Sequence, residues 1–280
     1  MMTLVRFGPA GLPLGYHGKS TQVCGYIKDR GLGAYEYQAT YGVRINKQSA
    51  VLLKENSDKY DIRISMHAPY YINLGSNKDE VIERSKERLV QSARAAEWMG
   101  AYRIVFHPGF YTKYTPTEAM EKLNKAVIEL TEQLKSLGIK DYTFAPETTG
   151  KKSQLGSLEE IIEICRSHEK FEPTVDFAHL HARCDGLLKD KNDYGKIFEL
   201  LENELGLKIL HSHYTHIEYT DKGERRHHIL GKEYGPPLEP LLDEIIDRGW
   251  KMTLICETPL REDDALIMQE KYRDILKTKT

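Results

Sequence analysis

Eight times along this chain a short apolar run is followed by an amphipathic stretch of helical period, and that alternation limits the folds open to it. The strand candidates are residues 3–7, 34–38, 61–66, 103–106, 142–145, 174–175, 207–210 and 252–256. Helical patterns lie between and after them, near 20–30, 47–57, 78–99, 117–137, 158–168, 191–205, 238–248 and 262–276. Thr115-Pro-Thr-Glu118 and Ser157-Leu-Glu-Glu160 each set a hydroxyl at a helix start and a carboxylate three residues on. Two orphan N–H groups are thereby satisfied reciprocally, and Pro116 stands where a first-turn proline is tolerated. Gly100, Gly138, Gly206 and Gly249 then stop helices just before a strand begins. No linker or low-complexity segment divides the 280 residues, 40% of which are hydrophobic. The prediction is an α/β chain folded as one (β/α)8 TIM barrel over residues 1–280. An open doubly wound sheet fits less well, because Phe7-Gly-Pro-Ala-Gly-Leu-Pro-Leu-Gly15 lacks the G-x-G-x-x-G spacing of a dinucleotide turn.

Charge and composition narrow the setting. The 40 Lys and Arg nearly balance 42 Asp and Glu, for a net charge of −2. No global field draws such a chain to nucleic acid or an anionic membrane, although a local basic face remains compatible with it. Cys24, Cys165, Cys184 and Cys256 are scattered, without a C-x-x-C, and read as reduced thiols. The N-terminal segment lacks the basic-then-apolar order of a signal peptide. No apolar run approaches the roughly 18–20 residues that cross a bilayer. These features predict a cytoplasmic protein with no membrane partner.

Catalytic groups of such barrels come from the C-terminal ends of the strands. Here those ends carry His67, His107, Glu147, then Asp176 with His179, then His211 with His213, and finally Glu257. Glu224-Arg-Arg-His227-His228 falls in what reads as a loop after the seventh strand. A single strand-end histidine is most often a hydrogen-bonded structural residue. Six successive ends bearing His, Glu or Asp call for another cause, and buried acids need cations or hydrogen bonds to compensate them. Mixed nitrogen and oxygen donors without thiolate suit zinc, manganese or iron. So many donors exceed the needs of one four-coordinate ion, and they suit two or three ions with a bridging carboxylate. Asp176 and His179 are three apart, so a continuing strand would send them to opposite faces. If both bind metal, the chain must turn after Asp176; the same holds for Glu224 and His227. His211 and His213 share a face, and either qualifies.

At these residues the chain resembles the endonuclease IV family of apurinic/apyrimidinic endonucleases, in particular its shorter archaeal-type branch. His67-Ala-Pro-Tyr70-Tyr-Ile-Asn73-Leu-Gly75 is similar to that family's H-x-x-Y-x-I-N-L-G. His107-Pro-Gly, Glu147-x-Thr, Asp176-x-x-His179 and Glu257-Thr-Pro follow in the same order. The resemblance implies two to three zinc ions. His67, His107 and Glu147 would hold the first; Glu147, Asp176, His211 and Glu257 the second, with His213 the alternative to His211. His179 and His227 would hold the third with one carboxylate. The bacterial pattern there is D-x-H, but Arg225 occupies the acidic position and cannot ligate, so Glu224 is the expected substitute.

The implied reaction is hydrolysis of the phosphodiester 5′ to an abasic site in DNA by a metal-bridged hydroxide, with Glu147 or Glu257 orienting the nucleophile. Tyr70 and Asn73 would contact the DNA. The family's N-Q-R after the second strand is missing, and Tyr41 and Arg44 are its replacements. Arg226, with Lys151, Lys152, Lys222, Arg225 and Lys232, is expected on the same face, in reach of phosphates. Arg183 and Arg261 are expected to neutralise nearby carboxylates, and His181, His216 and His228 to support rather than ligate. The resemblance implies a monomer. The alternatives are a metal-dependent sugar isomerase or epimerase built on the same barrel, and a barrel that binds nucleic acid without catalysis.

Overall fold

The computed structural model describes residues 5–231 and 233–279; positions 3 and 4 of the first expected strand and Lys232 lie outside that set. In chain order the strands are β1 (Val5–Pro9), β2 (Ala34–Gln38), β3 (Arg63–His67), β4 (Ile104–Phe106), β5 (Gly109–Phe110), β6 (Phe144–Pro146), β7 (Gln154–Leu155), β8 (Thr174–Asp176), β9 (Ile209–Tyr214), β10 (His216–Thr220), β11 (Gly223–His228) and β12 (Lys251–Cys256). The helices are α1 (Val23–Asp29), α2 (Lys47–Tyr60), α3 (Asp79–Met99), α4 (Pro116–Ser136), α5 (Leu158–Ser167), α6 (Phe177–Arg183), α7 (Lys191–Leu205), α8 (Leu238–Arg248) and α9 (Glu262–Lys279).

Eight of these strands make the barrel. One parallel run is β2-β3-β4-β6, the other β8-β9-β12-β1. Bridges between Ala10 and Glu36 and between Glu147 and Thr174 join the two runs at both seams. Among the described residues the eight barrel strands therefore close on themselves, which avoids unpaired backbone groups at their sheet edges. Among the described residues, no helix is long and apolar enough to cross a membrane.

The helices pack around the strands by their apolar stripes. On α3 the buried positions include Ile82, Leu89, Ala93 and Ala96, the stripe read from the sequence. Both expected capping boxes form. The Thr115 hydroxyl accepts from the Glu118 N–H while the Thr115 N–H donates to Glu118, and Ser157 and Glu160 do the same. At the foot of the barrel Trp250 is fully buried, 4.9 Å from the ring of Phe198, with its indole N–H donated to Glu202.

Three departures from the expected elements bear on the site. The seventh barrel strand runs on to Tyr214, so His211 and His213 lie within β9 rather than beyond it. The chain turns directly from β8 into the short helix α6. The stretch expected as a loop around Glu224 is the second strand of the β10–β11 hairpin.

The seam between β1 and β2 rests on Gly8. A Cβ there would lie 1.9 Å from the Ala34 carbonyl oxygen, which no neighbouring side-chain rearrangement can relieve. Gly8→Ala is therefore expected to destabilise the barrel by about 1–3 kcal/mol, the usual cost of overpacking. Urea denaturation read by circular dichroism checks this, and an unchanged midpoint would show that the seam tolerates a methyl group.

Candidate metal centre

Each strand end delivers its side chain by local means. His67 closes β3, and His107, Glu147 and Glu257 directly follow β4, β6 and β12. Asp176 ends β8 and caps α6: its Oδ1 accepts the His179 N–H at 2.8 Å. The cap begins the turn that the three-residue spacing demanded, and it brings His179 back beside Asp176, Nδ1 to Oδ2 3.6 Å.

On the hairpin a β-bulge performs the equivalent task. Glu218 pairs with Arg226 and Tyr219 with Glu224, which leaves Arg225 as the extra residue of β11. The insertion returns Glu224 and His227 to one side. Arg225 and Arg226 are exposed, and Arg225 pairs with Glu218 at 2.5 Å. Gly150 admits the hairpin, because a Cβ there would stand 2.6 Å from the Cβ of Glu224.

The result is three adjoining sets of donors: His67, His107 and Glu147; Glu147, Asp176, His213 and Glu257; and His179, Glu224 and His227. Within them the Glu147 carboxylate lies 3.3 Å from His67 Nε2, 2.9 Å from His107 Nε2 and 2.8 Å from His213 Nδ1. Glu257 lies 3.3 Å from His213 Nδ1 and 3.9 Å from His227 Nδ1. Glu224 lies 3.6 Å from His179 Nε2 and 3.7 Å from His227 Nε2.

Two features fit these residues to metal ions. Donors around an ion with ~2.0–2.1 Å bonds stand about 3.3 Å apart in a tetrahedron, the range observed here. Asp176 Oδ2 is buried with no hydrogen-bond donor, a cost that a cation would remove. The histidines are also held for ligation. His67 donates Nδ1–H to the Ala68 carbonyl (2.7 Å), and His179 donates Nδ1–H to the Thr148 carbonyl (2.9 Å). In each ring this leaves the Nε2 lone pair facing the carboxylates.

The charges are strongly coupled. Burial works against ionising Glu147, but the rings of His213 and His107 overcome it and hold its carboxyl well below the usual range. Burial raises Glu257, and the negative charges of Glu147 and Asp176 add to that. Burial opposes protonation of His179, yet Asp176, Glu224 and Glu147 raise it to about 10. The site thus has a strong demand for positive charge.

Several expectations are corrected by the geometry. His213, not His211, stands beside Glu147, Asp176 and Glu257. His211 lies one layer deeper, its Nε2 3.0 Å from Glu36 and its Nδ1 2.7 Å from the Tyr102 hydroxyl. Asn73 does not face solvent. Its side chain is buried and its Oδ1 accepts the Phe110 N–H at 3.1 Å, tying the loop after β3 to β5. Arg183 donates to the carbonyls of Lys151 and Gln154 and to the Tyr111 hydroxyl, and Arg261 to the carbonyl of Leu12, so neutral acceptors rather than carboxylates hold both. His181 accepts the Leu188 N–H, and burial pushes its ring down to about 4, in keeping with a supporting role.

Tyr41, Tyr70, Arg44 and Arg226 are exposed, with the Tyr70 ring 5.4 Å from that of His67. A cavity of about 820 Å³ opens beside the donors, lined by Tyr37, Gln38, Tyr70, His227, Glu257 and Arg261 among others. Sequence reasoning passed over Glu36. Its signal was an acid in the middle of Ala-Tyr-Glu-Tyr-Gln, a strand buried at that point.

Comparison with known proteins agrees with the fold. Residues 24–277 match the family model described as xylose isomerase-like TIM barrel. An uncharacterized protein of Methanocaldococcus jannaschii is 34% identical over 276 residues, 96% of this chain and 97% of that one. A probable endonuclease 4 of Thermoplasma volcanium is 26% identical over 78% of this chain and 75% of its own length. Endonuclease IV from Thermus thermophilus superposes with a TM-score of 0.72 at 19% identity, over 98% of this chain and 99% of that one. A D-tagatose 3-epimerase-like protein superposes with a TM-score of 0.71 at 20% identity, over 98% and 97%. The two structural likenesses speak to fold alone.

His213→Ala is expected to lower the metal bound per chain, whereas Arg225→Asp leaves it unchanged because that side chain points away from the donors. Elemental analysis of the purified variants checks both, and a His213→Ala chain with its full complement of metal would refute the assignment.

Proposed function

Since the chain belongs to the xylose isomerase-like TIM barrel family, we propose that it is a zinc-dependent endonuclease that hydrolyses the DNA phosphodiester on the 5′ side of abasic sites. The observation that carries this reading is the third donor set, His179 from α6 with Glu224 and His227 from the hairpin, assembled beside the other two. Phosphodiester hydrolysis spreads negative charge over several oxygens at once, and clustered cations answer that need. A sugar isomerase, which moves a proton between neighbouring carbons, or an epimerase, which removes a proton from one carbon and returns it to the opposite face, would use the set around Glu147 and Glu257. Either leaves His67, His107 and the third set without a purpose.

The residues that would hold zinc are the three sets in the order given, with Glu147 shared between the first two. What bound zinc supplies is Lewis-acid stabilisation of the phosphoryl oxygens and a nucleophilic water at neutral pH. The chain's own groups do the rest. Glu257 borders the cavity while Glu147 is fully buried behind it, so Glu257 orients the attacking water by accepting its hydrogen bond. Tyr70 overhangs His67 and His107, where it can bear on the sugar of the extruded nucleotide. Extrusion is cheap at an abasic site because no base must be unpaired or unstacked. Exposed Tyr41 offers a stacking face, and Arg44 and Arg226 offer phosphate contacts. Each of these groups comes from one chain, and the functional unit of this reading is a monomer.

A duplex with a single abasic site is expected to be incised 5′ to the lesion, with activity lost on EDTA treatment and in Glu147→Gln. A wild-type chain that leaves the duplex whole but interconverts ketoses would reverse the conclusion in favour of the epimerase. Arg226→Ala and Arg44→Ala are each expected to weaken DNA binding and to reduce the slope of log K against log salt by about 0.9. Binding isotherms at several salt concentrations measure this, and an unaltered slope removes the residue from the interface.

A further inference from the structure

Behind the donors the barrel interior stays polar. Glu36, in the middle of β2, is fully buried. Its Oε1 accepts from Gln38 Nε2 at 2.9 Å and its Oε2 from Ser65 Oγ at 2.9 Å. His213 Nε2 lies 3.0 Å from Oε1 and 3.2 Å from Oε2, and His211 Nε2 lies 3.0 Å from Oε2. The far nitrogen of His211 meets the Tyr102 hydroxyl, and the Tyr102 ring is clamped between Arg63 and Arg103 at 5.0 and 4.8 Å.

Glu36, His211 and His213 come close enough together to suggest one more ion. The hydrogen bonds argue against it. Both oxygens of Glu36 already accept from side-chain donors, and both nitrogens of His211 have partners. Asp176 Oδ2, by contrast, is buried without any donor. A fully satisfied carboxylate needs no cation, and an orphaned one does.

We propose that Glu36 is a positioning residue for the metal centre. It takes the Nε2–H of His213 and so fixes the tautomer whose Nδ1 lone pair faces Glu147 and Glu257, and His211, steadied by Tyr102, braces Glu36 from the other side. The proposal rests on reading the His213 set as a metal site. A carboxylate behind a ligating imidazole orients the ring and raises its basicity, and losing one typically costs about 10–100-fold in metal affinity.

The test is titration of metal-free protein with Co2+, followed by the visible absorption of the bound ion, and with Zn2+ against a chromophoric chelator. Wild type is compared with Glu36→Gln, Glu36→Asp, His211→Phe and Tyr102→Phe, and the fold of each is checked by thermal melting. The expected result is an unchanged number of ions in Glu36→Gln, one of them bound about 10–100-fold more weakly with a shifted Co2+ spectrum. Glu36→Asp restores part of the affinity, and His211→Phe weakens the same ion to a smaller extent. Tyr102→Phe deletes only the hydroxyl, so it carries the test if the Glu36 variants do not fold; a weaker hold on that one ion supports the proposal, and unchanged affinity counts against it. Unchanged affinities in Glu36→Gln overturn the positioning role and leave the metal reading standing. An ion lost outright from both Glu36→Gln and His211→Phe, with the others unaffected, overturns it in favour of a separate ion site. A wild type that takes up no ion at all refutes the metal reading and the proposal together.

Discussion

The structure turns on mutual repulsion held in check. Glu147, Asp176, Glu224 and Glu257 converge where water is scarce, and buried charges of one sign cost several kcal/mol each unless opposite charge answers them. Five imidazoles supply part of that answer, and the unpartnered oxygen of Asp176 marks where it falls short. A flexible chain would relieve the strain by moving the acids apart. A closed barrel cannot, because Glu147, Asp176 and Glu257 are tethered to barrel strands whose neighbours fix their positions, and Glu224 is held by the hairpin packed beside them. The rigidity of the fold and the demand of the site for cations are one property seen from two sides.

Polarity also runs inward from the rim. Ser65, His211 and Thr253 occupy interior positions that such barrels usually fill with branched apolar side chains. The polar column replaces some hydrophobic stabilisation with hydrogen bonds that set ring orientation. The core is instead concentrated between strands and helices, where Phe7, Met66, Phe106, Leu254 and their neighbours are buried.

Much of this was legible in the residues, and the rest failed for definable reasons. The Ala34–Gln38 strand and the capped starts of α4 and α5 were readable because apolar runs and capping boxes are local signals. That most of these acids and imidazoles would gather in one place was readable because they recur at strand ends. Depth along the barrel axis was not. His211 and His213 share a face by spacing, and only the extension of β9 to Tyr214 shows which one reaches the rim. The hairpin was hidden because Gly-Glu-Arg-Arg-His-His has no apolar alternation, and helix α6 because seven residues are too few for a clear period. Asn73 looked like a contact residue, although its side chain is buried and its amide oxygen accepts the Phe110 N–H.

The extra residue in β11 carries a lesson about homology. Ligands two apart on a regular strand and ligands three apart across a bulge present the same phase to the pocket. An acid moved one step upstream, with one more methylene to extend its reach, can thus take the place of the shorter acid without disturbing the histidine. Motif searches written as fixed intervals discard such chains. Patterns written in strand phase, with an allowance for one inserted residue, would recover them.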